Sequence, residues 1–407
     1  MKILFVNHTG KVSGAERVLL AIAERLHAFT LRLLSPAGDL LEGALARGIE
    51  CSVMDQVTAR FTWRPDRLIA YLNSFRNAIL QIHRAVKDWK PDLIHANTVR
   101  AGIAATVATA GMPVKVVWHV HDILPRHPLS SLIRLLFLFS GRSYAICVSN
   151  ATARRFRGAV LQFGDARRRI FVLHNGIDPA TYCPDSVADL PEERSGLRAE
   201  LGLPASAFVM AIVGQFTPRK GQLELVNAFP QVLSCIRSAA LLVVGAPLFN
   251  QDWEYHARVR QAIEKNGLTG KIVLAGQRND MPAVLRSIDA LVVNSAEEPF
   301  GMVLLEAMAC GRPVVSANVG GVPEIIHDRR NGLLYEPRDY ARLARHLADL
   351  AENPALSRTV GEHARETVAS RFTIPIQVAQ LVDIYRRVVG EIAVSAAAVP
   401  QAVGEEA

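Results

Sequence analysis

The sequence predicts an α/β protein built from two doubly wound parallel-sheet domains that face each other across a cleft. Three observations carry this expectation. The chain has 407 residues, too many for one ordinary domain and suited to two of roughly 150 to 200 residues each. Short β-branched runs alternate with longer amphipathic stretches in both halves, as strands buried on both faces by helices require. A Pro-rich, charged stretch from about Asp178 to Pro204 interrupts the alternation, which then restarts, so the linker is expected there.

In the first half the expected strands are Ile3 to Asn7, Ile49 to Met54, Asp92 to His95, Val114 to Val120, Ala145 to Ser149 and Ile170 to Leu173. Helical spacing runs over Ala15 to Leu26 and Arg67 to Asp88. The second half offers strands at Phe208 to Val213, Ala240 to Val244, Ile272 to Leu274, Ala290 to Val293 and Val314 to Ser316, and a last helical pattern at Ile376 to Val389. The domains are placed at 1–185 and 191–372, and the Ala-rich end, 394–407, is expected to be disordered. In open parallel sheets ligands bind beyond the carboxyl ends of the strands, which points to the cleft between the domains.

Composition narrows the class. Hydrophobic residues make up 50% and charged residues 21%, the balance of an ordinary globular protein. The apolar run at Ile3 is cut short by Asn7 and His8, too early for a signal peptide, and Leu132 to Phe139 falls far short of a membrane span. Five cysteines, Cys51, Cys147, Cys183, Cys235 and Cys310, lie far apart without a C-x-x-C pair, so a reducing cytoplasm is expected. Residues 1–185 hold 24 Lys and Arg against 13 Asp and Glu, while the remainder holds 22 against 25. The basic surplus therefore lies in the first half and calls for an anionic partner there.

The segment NSAEEPFGMVLLEAMACGRPVV, residues 294–315, is the richest in chemistry. It reads as strand end, loop, helix and next strand, with Pro299 and Gly301 opening the helix, Gly311 at a left-handed C-cap and Pro313 ending it. The helix is apolar on nearly all sides and hence buried, yet it carries Glu306, which needs a specific partner such as vicinal ribose hydroxyls. Glu298 falls in the loop before it, beside free N–H groups suited to a diphosphate. Taken alone, this spacing also fits a solvated loop acid and a core Glu–Arg pair.

The segment resembles the E-x7-E motif of the GT-B retaining glycosyltransferases of family 4, the group 1 glycosyltransferases, whose fold is two Rossmann-like domains. The resemblance extends over nearly the whole chain. It implies that Glu298 contacts the donor sugar, that Glu306 contacts the nucleotide ribose, and that Phe300, Gly301 and Met302 line the donor site. GQFTPRKGQ, Gly214 to Gln222, is similar to the family turn whose lysine, here Lys220, meets the donor diphosphate. The family has arginine where this chain has Gln215, so the second cation is either supplied by Arg219 or replaced by backbone N–H groups and the Gln215 amide. GGVPEIIHDRRNGLLYEP matches a further family block, in which Glu324 caps the following turn. NHTGKVSGAERVLL is similar to the family's first loop, with Gly14 small enough to let donor groups sit on the helix start, and WHVHD places His121 against the donor sugar.

The resemblance also implies an N-terminal acceptor domain, a C-terminal donor domain and a last helix, 373–390, that returns to the first. A retaining hexosyl transfer follows, from a UDP- or GDP-sugar to a glycan or lipid-linked acceptor, in cell-surface polysaccharide or glycolipid synthesis. The donor is a substrate, and no cofactor is expected. No Asp-x-Asp pair occurs, which argues against a metal-dependent transferase, and no nucleic-acid-binding signature is present. The rivals are a non-catalytic scaffold on the same fold and a sugar-nucleotide epimerase or phosphorylase. The stripe Leu68, Leu72, Phe75, Ile79, Ile82 and Val86, with Arg64, Arg67, Arg76, Arg84, Lys87 and Lys90 around it, suggests peripheral docking on an anionic membrane, and Leu132 to Phe139 offers a second apolar stretch.

Overall fold

A computed structural model describes residues 1–57, 64–162, 165–182, 190–247 and 250–390. The expected disorder at 394–407 lies outside the described residues. Two parallel sheets account for the architecture. The first contains β1 (Lys2–Val6), β2 (Thr30–Ser35), β3 (Glu50–Val53), β4 (Leu93–Ala96), β5 (Lys115–Val120), β6 (Ser143–Cys147) and β7 (Ile170–Val172), in the order β3-β2-β1-β4-β5-β6-β7. The second contains β8 (Phe208–Val213), β9 (Ala239–Val244), β10 (Ile272–Gly276), β11 (Ala290–Val293), β12 (Val314–Ala317) and β13 (Leu333–Tyr335), in the order β10-β9-β8-β11-β12-β13. Each order reverses beside the first strand of its sheet, so both have a switch-point crevice at their carboxyl edge.

Two strands escape a reading by pattern. β2, TLRLLS, has Arg32 in its middle; that guanidinium lies 5.0 Å from the Trp89 ring and pairs with Glu50 on β3, which lets a charge occupy a strand. β13 is only three residues long. Part of the stretch expected to be linker is helical. It contains the helix Leu190–Glu200, whose Arg198 donates to Ser287 O (2.8 Å) and Asp289 Oδ2 (2.7 Å) and so is fixed to the second sheet's layer.

Each sheet separates two apolar layers. The last helix, Ile374–Val389, sends Leu381, Ile384, Tyr385 and Val388 into the layer formed by Ile3, Phe5, Val18 and Leu19 of the first sheet's side. Its start is held by Gln377, whose side chain accepts from Gly176 N (2.9 Å) and donates to Asn175 Oδ1 (3.2 Å). Among the described residues no helix is long and apolar enough to cross a membrane.

Candidate active site

At the carboxyl edge of the second sheet, the loops after β8 and β11 are tied together by their backbones. Gly221 has φ +70°, and a Cβ there would stand 2.2 Å from Asn294 O, so only glycine permits this approach. Asn294 Nδ2 donates to Gly221 O (2.8 Å), Ala296 N donates to Arg219 O (2.8 Å), and Tyr335 fixes Asn294 from behind (2.7 Å). On this frame Lys220 Nζ donates to Glu298 Oε2 at 2.6 Å, and Ser295 Oγ donates to the same oxygen at 2.9 Å. Glu298 is 5% exposed, which removes the reading of a solvated loop acid. Its backbone is held as closely: Gly321 N donates to Glu298 O (2.9 Å), and a Cβ on Gly320 (φ +57°) would lie 2.0 Å from that oxygen.

The helix Met302–Ala309 begins at Gly301 and buries Leu304, Leu305, Ala307 and Met308. Glu306 projects toward the first half of the chain, where the Tyr182 hydroxyl bonds it and the Arg17 guanidinium acts on it. Burial pushes its carboxyl above the usual range, and those two partners oppose the shift. The partner of Glu306 is thus a tyrosine and an exposed arginine across the cleft, in place of a core arginine. Met302 packs against the cores of both sheets. Phe300 is buried, stacked on His174 (5.4 Å, 16°) and packed on Phe372, so a donor contact from this residue runs through its backbone. Gln215 Nε2 donates to the buried Asp252 (2.6 Å), and exposed Arg219 lines the same groove.

The edge of the first sheet is made mostly of uncharged groups, with one buried carboxylate, Glu16, among them. Gly14 opens the helix Gly14–Ala23 onto free space, and a Cβ there would meet nothing within 4 Å. Behind it Glu16 accepts from Ser13 N (3.0 Å) and Asn7 Nδ2 (3.3 Å), and Asn97 Nδ2 donates to Asn7 Oδ1 (3.2 Å). His121, just past β5, has Nε2 3.3 Å from Asn97 Oδ1 and its ring 4.0 Å from that of His119. His119 Nδ1 lies 3.2 Å from His95 Nε2, and His95 Nδ1 lies 2.6 Å from the hydroxyl of Tyr385 in the last helix. Desolvation lowers His121 and His95 to about 3 and holds His119 well below its ordinary value, so all three imidazoles are neutral at physiological pH.

The halves are also clasped beside the site. Glu324 was expected to cap its own following turn. Its carboxylate instead accepts from Asn150 N (2.8 Å), Asn150 Nδ2 (2.9 Å), Ala151 N (3.0 Å) and His174 (3.0 Å), capping the helix Asn150–Arg157 of the other half. A helix N-terminus attracts a carboxylate wherever the chain can deliver one. Ser149 Oγ adds a bond to Pro299 O (2.6 Å). The sequence-derived residues thus fall into two groups: Lys220, Glu298, Gly301 and Gln215 with Arg219 on the loops of the second edge, and Gly14 with His121 on the first, while Glu306 reaches between them. Arg17, Tyr182, Ser295 and Asp252 were not anticipated. Ser295, inside the motif and three residues before Glu298, and Arg17, inside NHTGKVSGAERVLL, lie in segments the sequence singled out. Among the described residues no three His, Cys, Asp or Glu side chains converge as a metal cluster would.

Two parallel-sheet domains facing a cleft, with a Lys–Glu pair and a further glutamate, Glu306, at the carboxyl edge of the second sheet, are the architecture of a GT-B glycosyltransferase that acts on nucleotide sugars. The chain belongs to the group 1 glycosyltransferase family: the family model "Glycosyl transferases group 1" matches residues 193–367 and "Glycosyltransferase Family 4" matches residues 12–181. It is 32% identical to D-inositol 3-phosphate glycosyltransferase of Salinispora tropica over 94% of this chain and 83% of that one. It is 24% identical to UDP-Gal:α-D-GlcNAc-diphosphoundecaprenol α-1,3-galactosyltransferase of Escherichia coli over 95% and 96% of the two chains. Among solved structures it is similar to Anabaena HepE in complex with UDP-glucose, with a TM-score of 0.78 and 28% identity over 95% of this chain and 100% of that chain.

Proposed function

We propose that the protein moves a hexose from a UDP-sugar to a glycan or lipid-linked acceptor with retention at the anomeric carbon and without a metal ion, in cell-surface polysaccharide or glycolipid synthesis. The observation that carries this reading is the Lys220–Glu298 pair, seated at the carboxyl edge with Ser295 on the same carboxylate oxygen. In this reading the second domain takes the donor and the first the acceptor. Glu306 takes the ribose hydroxyls, exchanging Tyr182 for ligand. Lys220 turns to the diphosphate, beside the N–H groups of Gly301 and Met302 at the helix start. Glu298, released by Lys220, then orients the sugar hydroxyls. His121, neutral, offers one ring nitrogen to the sugar from the opposite edge. UDP is favoured over GDP because the HepE structures that the fold resembles hold UDP, UDP with glucose, or UDP-glucose.

No side chain is placed as a covalent nucleophile in this scheme. The acceptor oxygen attacks the face that the diphosphate leaves; the bond from the anomeric carbon to the phosphate oxygen breaks, and the acceptor proton passes to that oxygen. The protein contributes orientation and stabilisation of the departing charge. The test is proton NMR of the purified protein with UDP-, GDP- and ADP-sugars in EDTA. Slow release of UDP with the α-configured sugar appearing first is expected, and Glu298→Gln should abolish it while still binding UDP. Inverted product, a requirement for Mn²⁺ or Mg²⁺, or turnover by Glu298→Gln equal to wild type would overturn the proposal.

A further inference from the structure

The helix Pro128–Ser140, PLSSLIRLLFLFS, carries apolar residues on its outer face as well as its inner one. Its single charged residue, Arg134, is turned inward: Nε donates to Phe156 O (2.9 Å) and Nη2 to Arg155 O (2.7 Å). Facing outward are Leu129, Leu132, Leu135 and Phe139, exposed by 49%, 60%, 37% and 80%. Phe139 also lines a groove with Val107, itself 41% exposed on the neighbouring helix Val99–Ala108. A single exposed leucine needs no explanation, but a whole helical face of them does. A helix covering a sheet in water turns an apolar stripe inward and its charges outward; this one packs Ile133, Leu136 and Phe137 on the core but shows a second apolar face to solvent and turns its one charge inward.

Within the stretch of chain that contains the helix, charge has one sign. From Ile123 to Gly164 the chain contains six arginines and no Asp or Glu. Arg126 and Arg142 are exposed at the two ends of the helix. Arg167 and Arg168 are exposed on the segment that Arg169 fastens to its C-terminal end, through bonds to Phe137 O (3.2 Å) and Leu138 O (3.1 Å). The acids that flank this stretch are Asp122, exposed before it, and Asp165, which pairs with Arg169 at 3.7 Å. The stripe expected on Arg67 to Asp88 does not form such a face. Ile82 and Val86 are buried, Phe75 and Ile79 pack on the core, and Leu72 is exposed near the helix start; the side chain of Leu68 lies outside the described residues.

We propose that the helix Pro128–Ser140 is the membrane-seated element of this protein. Leu129, Leu132, Leu135 and Phe139 enter the acyl boundary of an anionic bilayer, with Arg126, Arg142, Arg167 and Arg168 over its headgroups. A second copy of the chain is disfavoured as occupant, because a two-fold contact would set one arginine rim on another. An anionic leaflet satisfies both the apolar face and the rim. The surface stands whichever sugar is moved. Because the helix follows the loop that carries His121, docking brings the first edge of the cleft to the bilayer.

Co-sedimentation of the full chain with vesicles tests this, comparing phosphatidylcholine alone with phosphatidylcholine plus phosphatidylglycerol. Wild type should pellet with the anionic vesicles at low salt, release as salt rises, and ignore the neutral ones. Leu132→Ser with Phe139→Ser should weaken binding by about tenfold or more, with UDP-sugar hydrolysis unchanged as the check on folding. Arg126→Ser with Arg142→Ser, which leaves the apolar face intact, should lower binding and its salt dependence together. Indifference of wild type to lipid charge, or undiminished binding by both double variants, overturns the proposal. A dimer in light scattering that Phe139→Ser dissolves, without vesicle binding, overturns it in favour of a second copy.

Discussion

The two cleft edges are built by the same topology and filled with opposite chemistry. On the first sheet, Asn7, Asn97 and the neutral imidazole of His121 lie beyond β1, β4 and β5, backed by the neutral His119 and His95 within the strands, and the buried Glu16 carboxylate is held by Asn7 and Ser13. On the second, the loops beyond β8 and β11 hold a half-buried ammonium against a buried carboxylate. A neutral edge can take up sugar hydroxyls by donating and accepting hydrogen bonds without binding a charged phosphate strongly. An ionic edge is the one that can balance a leaving diphosphate. The asymmetry divides the labour that the proposed transfer needs, and it does not follow the gross charge of the chain, whose basic surplus lies in the first half.

The comparison breaks most severely if an ion is removed from the second edge. Lys220→Ala would leave the Glu298 carboxylate buried with only Ser295 beside it. Breaking a buried pair on one side costs about 3 to 5 kcal/mol, so the apparent melting temperature should drop by several degrees even without ligand. Turnover should fall by about a hundredfold or more, the scale for losing a cation from a developing charge. Thermal unfolding with and without UDP, alongside turnover, checks both. A loss within about threefold, under roughly 1 kcal/mol of barrier, would remove Lys220 from the chemistry.

A smaller effect sharpens the comparison from the other side. His8 is lowered to about 4 by desolvation and by Arg100, and His95 and His121 to about 3 by desolvation. In the unfolded chain these groups return to near 6.5. Their contribution to stability is therefore complete above about pH 6.5 and is lost as pH falls toward 4 and then 3, because the unfolded chain takes up protons first. Carboxylates lowered in the fold, such as Glu324, act in the same direction only below about 4.5. Between these limits hydrogen exchange should show the first sheet losing protection ahead of the second. His256 and His346, also lowered, give the second sheet a weaker slope of the same sign. Equal loss in both sheets would remove the distinction.

Much of this could be read from the chain, and what could not has a common cause. Continuous apolar strands such as Val114 to Val120 and the Glu298–Glu306 spacing are local, and local patterns survive in one dimension. β2 was hidden because its Arg32 finds Trp89 and Glu50 only after folding. Tyr182 and Arg17 reach Glu306, Tyr385 reaches His95, and Glu324 caps a helix in the other half, all between segments remote in sequence. Leu132 to Phe139 was legible as greasy, but the inward turn of Arg134 depends on the carbonyls of Arg155 and Phe156. The Gln215 substitution was visible as a departure; that Asp252 lies against it was not.

The division between a neutral edge and a nucleotide-holding ionic edge is tested most directly by calorimetric titration of UDP into wild type, Glu306→Ala and His121→Ala, with transfer measured on the same preparations. The account predicts that Glu306→Ala weakens UDP binding by about tenfold or more, some 1.4 kcal/mol. His121→Ala should leave UDP affinity within about twofold while lowering transfer, as expected for a group that meets only the sugar. If His121→Ala weakens UDP as much as Glu306→Ala does, or if Glu306→Ala leaves it unchanged, the nucleotide is not held by the second edge and the account is contradicted.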